Sequence, residues 1–451
     1  MSKSVLLICN KPKNGKDANT ISDHINAISK YSINKILVLS NLGEFPNLLD
    51  INKFDVIIIH YSICLYLDTF ISRKAKNKLR EFNGLKVVFI QDEYRQINKT
   101  IKELNYIRAD VLFTCFPDTE KDRIYSKDKL PRLNTYNNLT GYIPERLLKI
   151  KTKDIKDRPI SISYRGRKIP YWLGELAYEK SNIVDKWKEF VLDNTLNVDI
   201  SYNEQDRIYG KKWIDFLASS KATLGVESGA SVMDFTGKIE EMIRLHNIKN
   251  PEDDFPIIKK KYLFLHEGKY NLNQISPRCF EAIALKTALV LYEGEYSGIL
   301  IPGKHFIMLK KDFSNISDVL LKLKDDGFLQ KMVDITYKDI VQSTKYTYNS
   351  FISYIDEVIL KEFSLRAIKE NINSYSMLKL IMLKPALFFN KNYSVFEKCF
   401  SIMYMRFLIC FRREAIKLYK LVFFIFRVVF IFFRSPSAFF VLVKIKLNLT
   451  K

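Results

Sequence analysis

The sequence predicts an α/β protein of two doubly wound domains in tandem, followed by a basic amphipathic helical tail. Three observations carry this. Short β-branched apolar runs alternate with helical stretches, a polar break restarts the alternation, and the charge balance changes near Ser364.

The first runs are Val5–Cys9, Lys35–Leu39, Val56–Ile59, Val87–Ile90 and Val111–Thr114. Nearly continuous apolar runs of this length suit parallel strands buried on both faces. Ser22 to Lys30 and Thr69 to Phe82 have helical spacing, the second closed by Asn83-Gly84. Strand–helix alternation implies right-handed crossovers and an open parallel sheet. The break is the polar stretch Lys151 to Pro159. After it come Ile160–Ser163, Val198–Ser201, Ala222–Val226, Leu263–Leu265 and Ala288–Tyr292. Asp234 to Lys261, charged and poorly periodic, has the character of an insertion. The expected organisation is two Rossmann-like domains, 1–155 and 156–363 with an insertion at about 234–261, then a tail over 364–451. In such folds ligands bind beyond the carboxyl ends of the strands, here in the cleft between the domains.

A chain of 451 residues exceeds one ordinary domain of roughly 100–200 residues. With 47% hydrophobic and 27% charged residues it is globular, which excludes a disordered or fibrous chain. The net charge of +22 calls for an anionic partner. Six cysteines without a CxxC pair argue against structural zinc or a disulfide framework and for a reducing cytoplasm. Ser4 to Cys9 is too short for a signal peptide and reads as a strand.

Four motifs follow strands. Ser163-Tyr164-Arg165-Gly166-Arg167-Lys168 sets three cations and a glycine at a strand end, where Arg165, Arg167 and Lys168 can clamp a diphosphate. A solvated basic turn is the competing reading. Glu227-Ser228-Gly229-Ala230-Ser231 has the small and hydroxyl residues that suit packing around a base or sugar, and suits a plain turn equally. In Gln274 to Leu285, Ser276 is an N-cap and Pro277 opens a helix whose free N–H groups and Arg278 favour an anion. Glu281, about one turn in, can accept from ribose hydroxyls or simply support the helix start. Gln91-Asp92-Glu93-Tyr94-Arg95 offers Asp92 and Glu93 as sugar ligands or a base, and His60 ends the preceding strand. A lone histidine there is more often structural.

Lys13-Asn14-Gly15-Lys16-Asp17 lacks the glycine and the Ser/Thr of a P-loop. No Gly-x-Gly-x-x-Gly follows either first strand, which disfavours dinucleotide redox chemistry. No Gly-x-Ser-x-Gly elbow and no His-Glu-x-x-His are present.

Over roughly Ser4 to Leu360 these features resemble the GT-B-type glycosyltransferases of the "group 1" kind. Gly166-Arg167 resembles that family's Gly-Arg, which with a following lysine, here Lys168, binds the donor diphosphate. Phe280-Glu281-Ala282 resembles the second glutamate of its Glu-x7-Glu pair, which holds the ribose; Asn273 stands at the first. Gln91-Asp92 sits where many relatives carry His-Asp near the reacting sugar. The resemblance implies transfer of a sugar from a nucleotide-sugar substrate, usually with retention, with cationic side chains and helix termini in place of a metal and no cofactor.

The tail carries +13 of the net charge, with 16 Lys/Arg and 3 Asp/Glu. Arg406, Arg413, Lys420, Arg427 and Arg434 are seven apart. Seven helical residues turn through about 700°, so these cations share one sector of the helix. Leu, Ile, Val, Phe and Tyr fill most of the rest, the pattern of a helix lying in a membrane interface. A span is disfavoured by Lys417, Lys420 and Arg427 within Ala415 to Phe433. Packing on protein is the third reading. The expectation is a cytoplasmic polysaccharide-biosynthesis enzyme, peripheral to the inner face of the cell membrane. Its partners would be a lipid-linked or glycan acceptor and anionic lipid, not nucleic acid. An epimerase on the same fold, a nucleic-acid binder and a silent scaffold are the alternatives.

Overall fold

The structure is a computed structural model that describes residues 2–12, 19–191 and 195–372. Lys13 to Asp17 and the tail cations Arg406, Arg413, Lys420, Arg427 and Arg434 lie outside the described residues.

The first sheet has six parallel strands: β1 (Ser4–Cys9), β2 (Lys35–Ser40), β3 (Val56–Ile59), β4 (Leu85–Ile90), β5 (Val111–Thr114) and β6 (Asn134–Asn137), in the order β2-β1-β3-β4-β5-β6. β1 pairs in register with both β2 and β3. β3 and β5 are buried along their whole length, as their unbroken apolar runs require. The edge strand β6 reads Asn-Thr-Tyr-Asn, half-buried throughout, and has no apolar pattern to announce it.

The second sheet has five parallel strands: β7 (Ile160–Arg165), β8 (Val198–Ser201), β9 (Ser220–Gly225), β10 (Ala288–Tyr292) and β11 (Ile307–Leu309), in the order β11-β10-β9-β7-β8. The expected strand Leu263–Leu265 is not one. Asp254 caps a short helix, Phe255–Ile258, which runs on through a wider turn, Lys259–Leu263, and leaves Phe264 and Leu265 exposed. A short apolar run does not by its pattern distinguish strand from helix. The place in the sheet goes to β11, only three residues long. The poorly periodic insertion is helical too: Lys238–Lys249 and Phe255–Ile258 close over Trp172, Leu173 and Ala177 with a core of their own.

The chain returns to the first domain at its end. The helix Tyr348–Ile372 sets Tyr348, Phe351, Ile352, Ile355, Val358 and Ile359 into one core with Val5, Leu7, Val56, Ile58, Val87 and Phe89. Asp356 on this helix accepts from Ser32, the Ile33 backbone and Asn34 at 2.7–2.8 Å. Residues 348–363, placed by sequence with the second domain, therefore complete the first. Across the cleft, the Asp234 backbone donates to the Tyr94 carbonyl at 2.8 Å and Arg95 pairs with Glu240 at 2.9 Å. These contacts bring the loop after β4 close to the second domain.

Candidate nucleotide-sugar site

A cavity of about 210 Å³ opens at the carboxyl ends of β7, β9 and β10. It lies where the strand order reverses between β7 and β9, the crevice in which open α/β sheets bind ligands. Close packing shapes it. A Cβ on Gly166 would stand 2.7 Å from the Tyr164 ring and 3.0 Å from the Lys180 carbonyl, and one on Gly225 would stand 2.6 Å from Leu291. The Tyr164 hydroxyl donates to that same carbonyl at 2.9 Å, which fixes the helix Glu175–Phe190 beside the end of β7.

Three cations converge on the cavity: Arg167, Lys180 and Arg278. None is ion-paired with a carboxylate among the described residues. Arg278 donates to the Arg165 carbonyl, and its guanidinium lies 5.5 Å from the centre of the Trp213 ring. Burial pushes the Lys180 ammonium down to about 8; Asp92 opposes the shift, and Arg278 and Arg167 add to it. Ser276, also on the wall, precedes the helix Pro277–Ala284 without capping it through its side chain. The wall therefore combines these cations with apolar side chains, Trp213, Leu217, Leu289 and Leu291.

The structure separates the residues chosen by sequence. Arg167, Ser228, Ser276 and Arg278 line the cavity. Arg165 points the other way along β7: it donates to the carbonyls of Asp206, Tyr164 and Asp199 and pairs with the Asp199 carboxylate at 2.7 Å. Lys168 is exposed, 5.5 Å from the Tyr202 ring. Glu227 is buried and holds the loop after β10, accepting from the Glu295 and Tyr296 backbone and from Asn273 at 2.6 Å. Gly229, at φ +106°, has a backbone that only glycine adopts readily, and a Cβ there would lie 2.2 Å from the Leu272 carbonyl. Glu281 is buried; it accepts from the Trp213 indole at 2.8 Å and lies 4.0 Å from Arg146.

In the first domain, Asp92 is exposed with left-handed backbone (φ 56°), and the Tyr94 hydroxyl donates to it at 2.7 Å. Glu93, the next residue, is turned inward. It accepts from Thr114, Tyr125 and the Cys115 backbone, and burial pushes its carboxyl up to about 7. His60 is fully buried. The Ser62 backbone donates to its Nδ1, so Nε2 carries the proton toward His24, 3.0 Å away. Burial, then the neighbouring His24, holds His60 well below its usual range, and burial lowers His24 to about 3.

Two residues of the wall escaped the sequence reading. Lys180 interrupts the stripe Leu176, Ala177, Ile183, Val184 and Trp187 that its helix buries, and a cation on an apolar stripe was the available signal. Trp213 had none, because an aromatic in an amphipathic helix ordinarily reads as core.

No protein-family model matches the sequence, and no curated protein matches it. Solved structures do. One is an alpha-glucosyltransferase in complex with UDP and a 13-mer DNA containing a HMU base, at 11% identity and TM-score 0.47, covering 80% of this chain and 100% of that one. Another is T4 phage BGT in complex with UDP and Mn2+, at 13% and 0.47, covering 79% and 99%. A third is Anabaena HepE in complex with UDP, at 9% and 0.44, covering 79% and 100%. The described residues form two parallel-sheet α/β domains of six and five strands facing across a cleft. At such identities and scores the likeness says nothing of what this chain binds.

Proposed function

We propose that the chain is a glycosyltransferase that takes a sugar from a nucleoside-diphosphate donor bound beyond β7 and β9. One observation carries this: Arg167, Lys180 and Arg278, without carboxylate partners among the described residues, face one cavity at the sheet's switch point. Fixed cations at a developing diphosphate stabilise the leaving group as its charge grows, with no reorganisation during reaction. Asp92, held by Tyr94 at the facing lip, is the candidate to orient the acceptor hydroxyl or take its proton. Glu93 and His60 support that lip from within.

The acceptor is proposed to be a membrane-linked or surface-glycan sugar. This rests on the basic amphipathic composition of residues 364–451, which would keep the cleft near such a substrate. Arg167→Ala should weaken nucleoside-diphosphate binding by about 1.5–3 kcal/mol, the worth of a hydrogen bond to a charged group. Titration calorimetry on the folded variant measures it, and unchanged affinity removes the clamp. Transfer should persist in excess chelator, since the clamp does a metal's work; loss of activity restored by Mg²⁺ or Mn²⁺ would count against it.

A further inference from the structure

We propose that Trp213 is the platform on which the donor's nucleobase stacks, and that Glu281 is a positioning residue that fixes the indole instead of a direct ligand of the ribose. The inference rests on the donor-cavity reading above and adds which residues of the wall take which end of the ligand.

The cavity has two chemistries. Arg167 and Lys180 offer charge for the diphosphate, and the half-buried Trp213 offers a flat apolar face on the same wall. Arg278 is common to both, near the Trp213 ring and beside the end of β7. A nucleoside diphosphate combines the two: charge, then sugar, then a planar ring that gains by stacking on an aromatic face.

Trp213 is half-buried on the helix Gly210–Ala218, whose Ile214 and Leu217 are locked in the core beneath the second sheet, so its backbone is fixed. What remains free is the rotation of the indole. Glu281 removes that freedom by accepting the ring N–H at 2.8 Å. Its other oxygen faces Arg146, which Asp23 holds through two nitrogens at 2.7 and 2.9 Å. One carboxylate oxygen is thus committed within the protein before a ribose arrives, the other lies toward Arg146, and Glu281 is not among the residues that line the cavity. Gripping the ring by its edge holds its face in one orientation.

Binding of uridine diphosphate, adenosine diphosphate and inorganic pyrophosphate to the full chain tests this. Trp213→Ala should weaken both nucleotides about tenfold or more, as loss of a base–aromatic stack does, and leave pyrophosphate binding unchanged. That unchanged binding also reports an intact cavity. Trp213→Phe, which keeps an aromatic face but has no N–H for Glu281 to hold, should bind nucleotide between the native chain and Trp213→Ala. Nucleotide, but not pyrophosphate, should quench the native tryptophan fluorescence, and Trp213→Phe should abolish the quench. Glu281→Gln, whose amide oxygen still accepts from the indole, should bind nucleotide nearly as the native chain does, whereas Glu281→Ala, which frees the ring, should weaken nucleotide as Trp213→Phe does and leave pyrophosphate unchanged. Equal losses for nucleotide and pyrophosphate, or no loss for either, would overturn the platform. A loss in Glu281→Gln with Trp213→Phe unaffected would return Glu281 to the ribose. If the native chain binds pyrophosphate but no nucleotide more tightly, the platform fails while the anion site stands. If it binds none of the three, the donor reading itself fails.

Discussion

Lys180 shows how a single side chain is tuned by where it is placed. The helix Glu175–Phe190 is held against β7 by the Tyr164 hydroxyl, and the lysine on its buried stripe is left at the cavity wall. Burial disfavours its charge and brings its titration to about 8, below the ordinary lysine value. An anionic ligand binds the protonated form. Affinity for a nucleoside diphosphate should therefore be nearly full at about pH 7 and below and fall as pH rises through 8, by about tenfold at pH 9 if the neutral form contributes nothing. Lys180→Arg keeps its charge throughout and should flatten that limb between about pH 7 and 9, values that bracket the shifted titration by roughly one logarithmic unit each way. A native profile that is already flat over this range would exclude Lys180 from ligand binding. At this scale the sequence was only partly legible. Arg167 and Arg278 declared themselves by their place after a strand and at a helix start. Arg165, two residues before Arg167, carries the same chemistry, but as the last residue of β7 it is held by Asp199 on the neighbouring strand, while Arg167 lies past the strand end. Neighbouring carboxylates divide the same way, Asp92 outward and Glu93 into a nest of three donors. Orientation of this kind depends on packing partners far apart in sequence.

Among elements, the helix Tyr348–Ile372 has the most leverage per residue. Its stripe fills the face of a sheet laid down some three hundred residues earlier in the chain, and Phe351 stacks on Tyr142 at 4.0 Å between ring centroids. Removing a buried aromatic side chain costs about 3–5 kcal/mol, so Phe351→Ala should destabilise the first domain by that order. Thermal or denaturant unfolding checks this, and a change below about 1 kcal/mol would mean that the helix merely rests on the surface. The alternation of strands and helices was readable for nine strands, most of them apolar runs buried on both faces, with the partly exposed β2 and β8 at the sheet edges. It failed where that signal is missing or shared. β6 is polar, β11 is three residues long, and Leu263–Leu265 is an apolar run that belongs to a helical segment.

At the scale of the whole molecule, charge is divided unevenly, with the greater part of the excess beyond Ser364. No helix among the described residues is long and apolar enough to cross a membrane. If residues beyond the long final helix form the interfacial anchor proposed above, the full chain should float with anionic vesicles. Each Lys or Arg near such a surface contributes about 1 kcal/mol, and salt should weaken that share within a Debye length while leaving the aromatic contribution. A chain ending after Ile372 should stay with the unbound fraction and still bind nucleotide. Flotation of the shortened chain as efficient as that of the whole would place the anchor elsewhere.

The return of the final helix to the first domain has a consequence for synthesis. A ribosome makes residues 1–155 first, but part of one face of their sheet, beside the helix that carries Ile25 and Ile28, stays uncovered until residues 348–359 have emerged. The amino-terminal half must wait, partly open, while the entire second domain is translated and folds, a long exposure of apolar surface of the kind that recruits chaperones. Folding order is thus inverted relative to sequence order: the domain begun first is finished last. Only then does translation reach the basic tail, so the chain completes its body before it produces the segment proposed to carry it to a membrane.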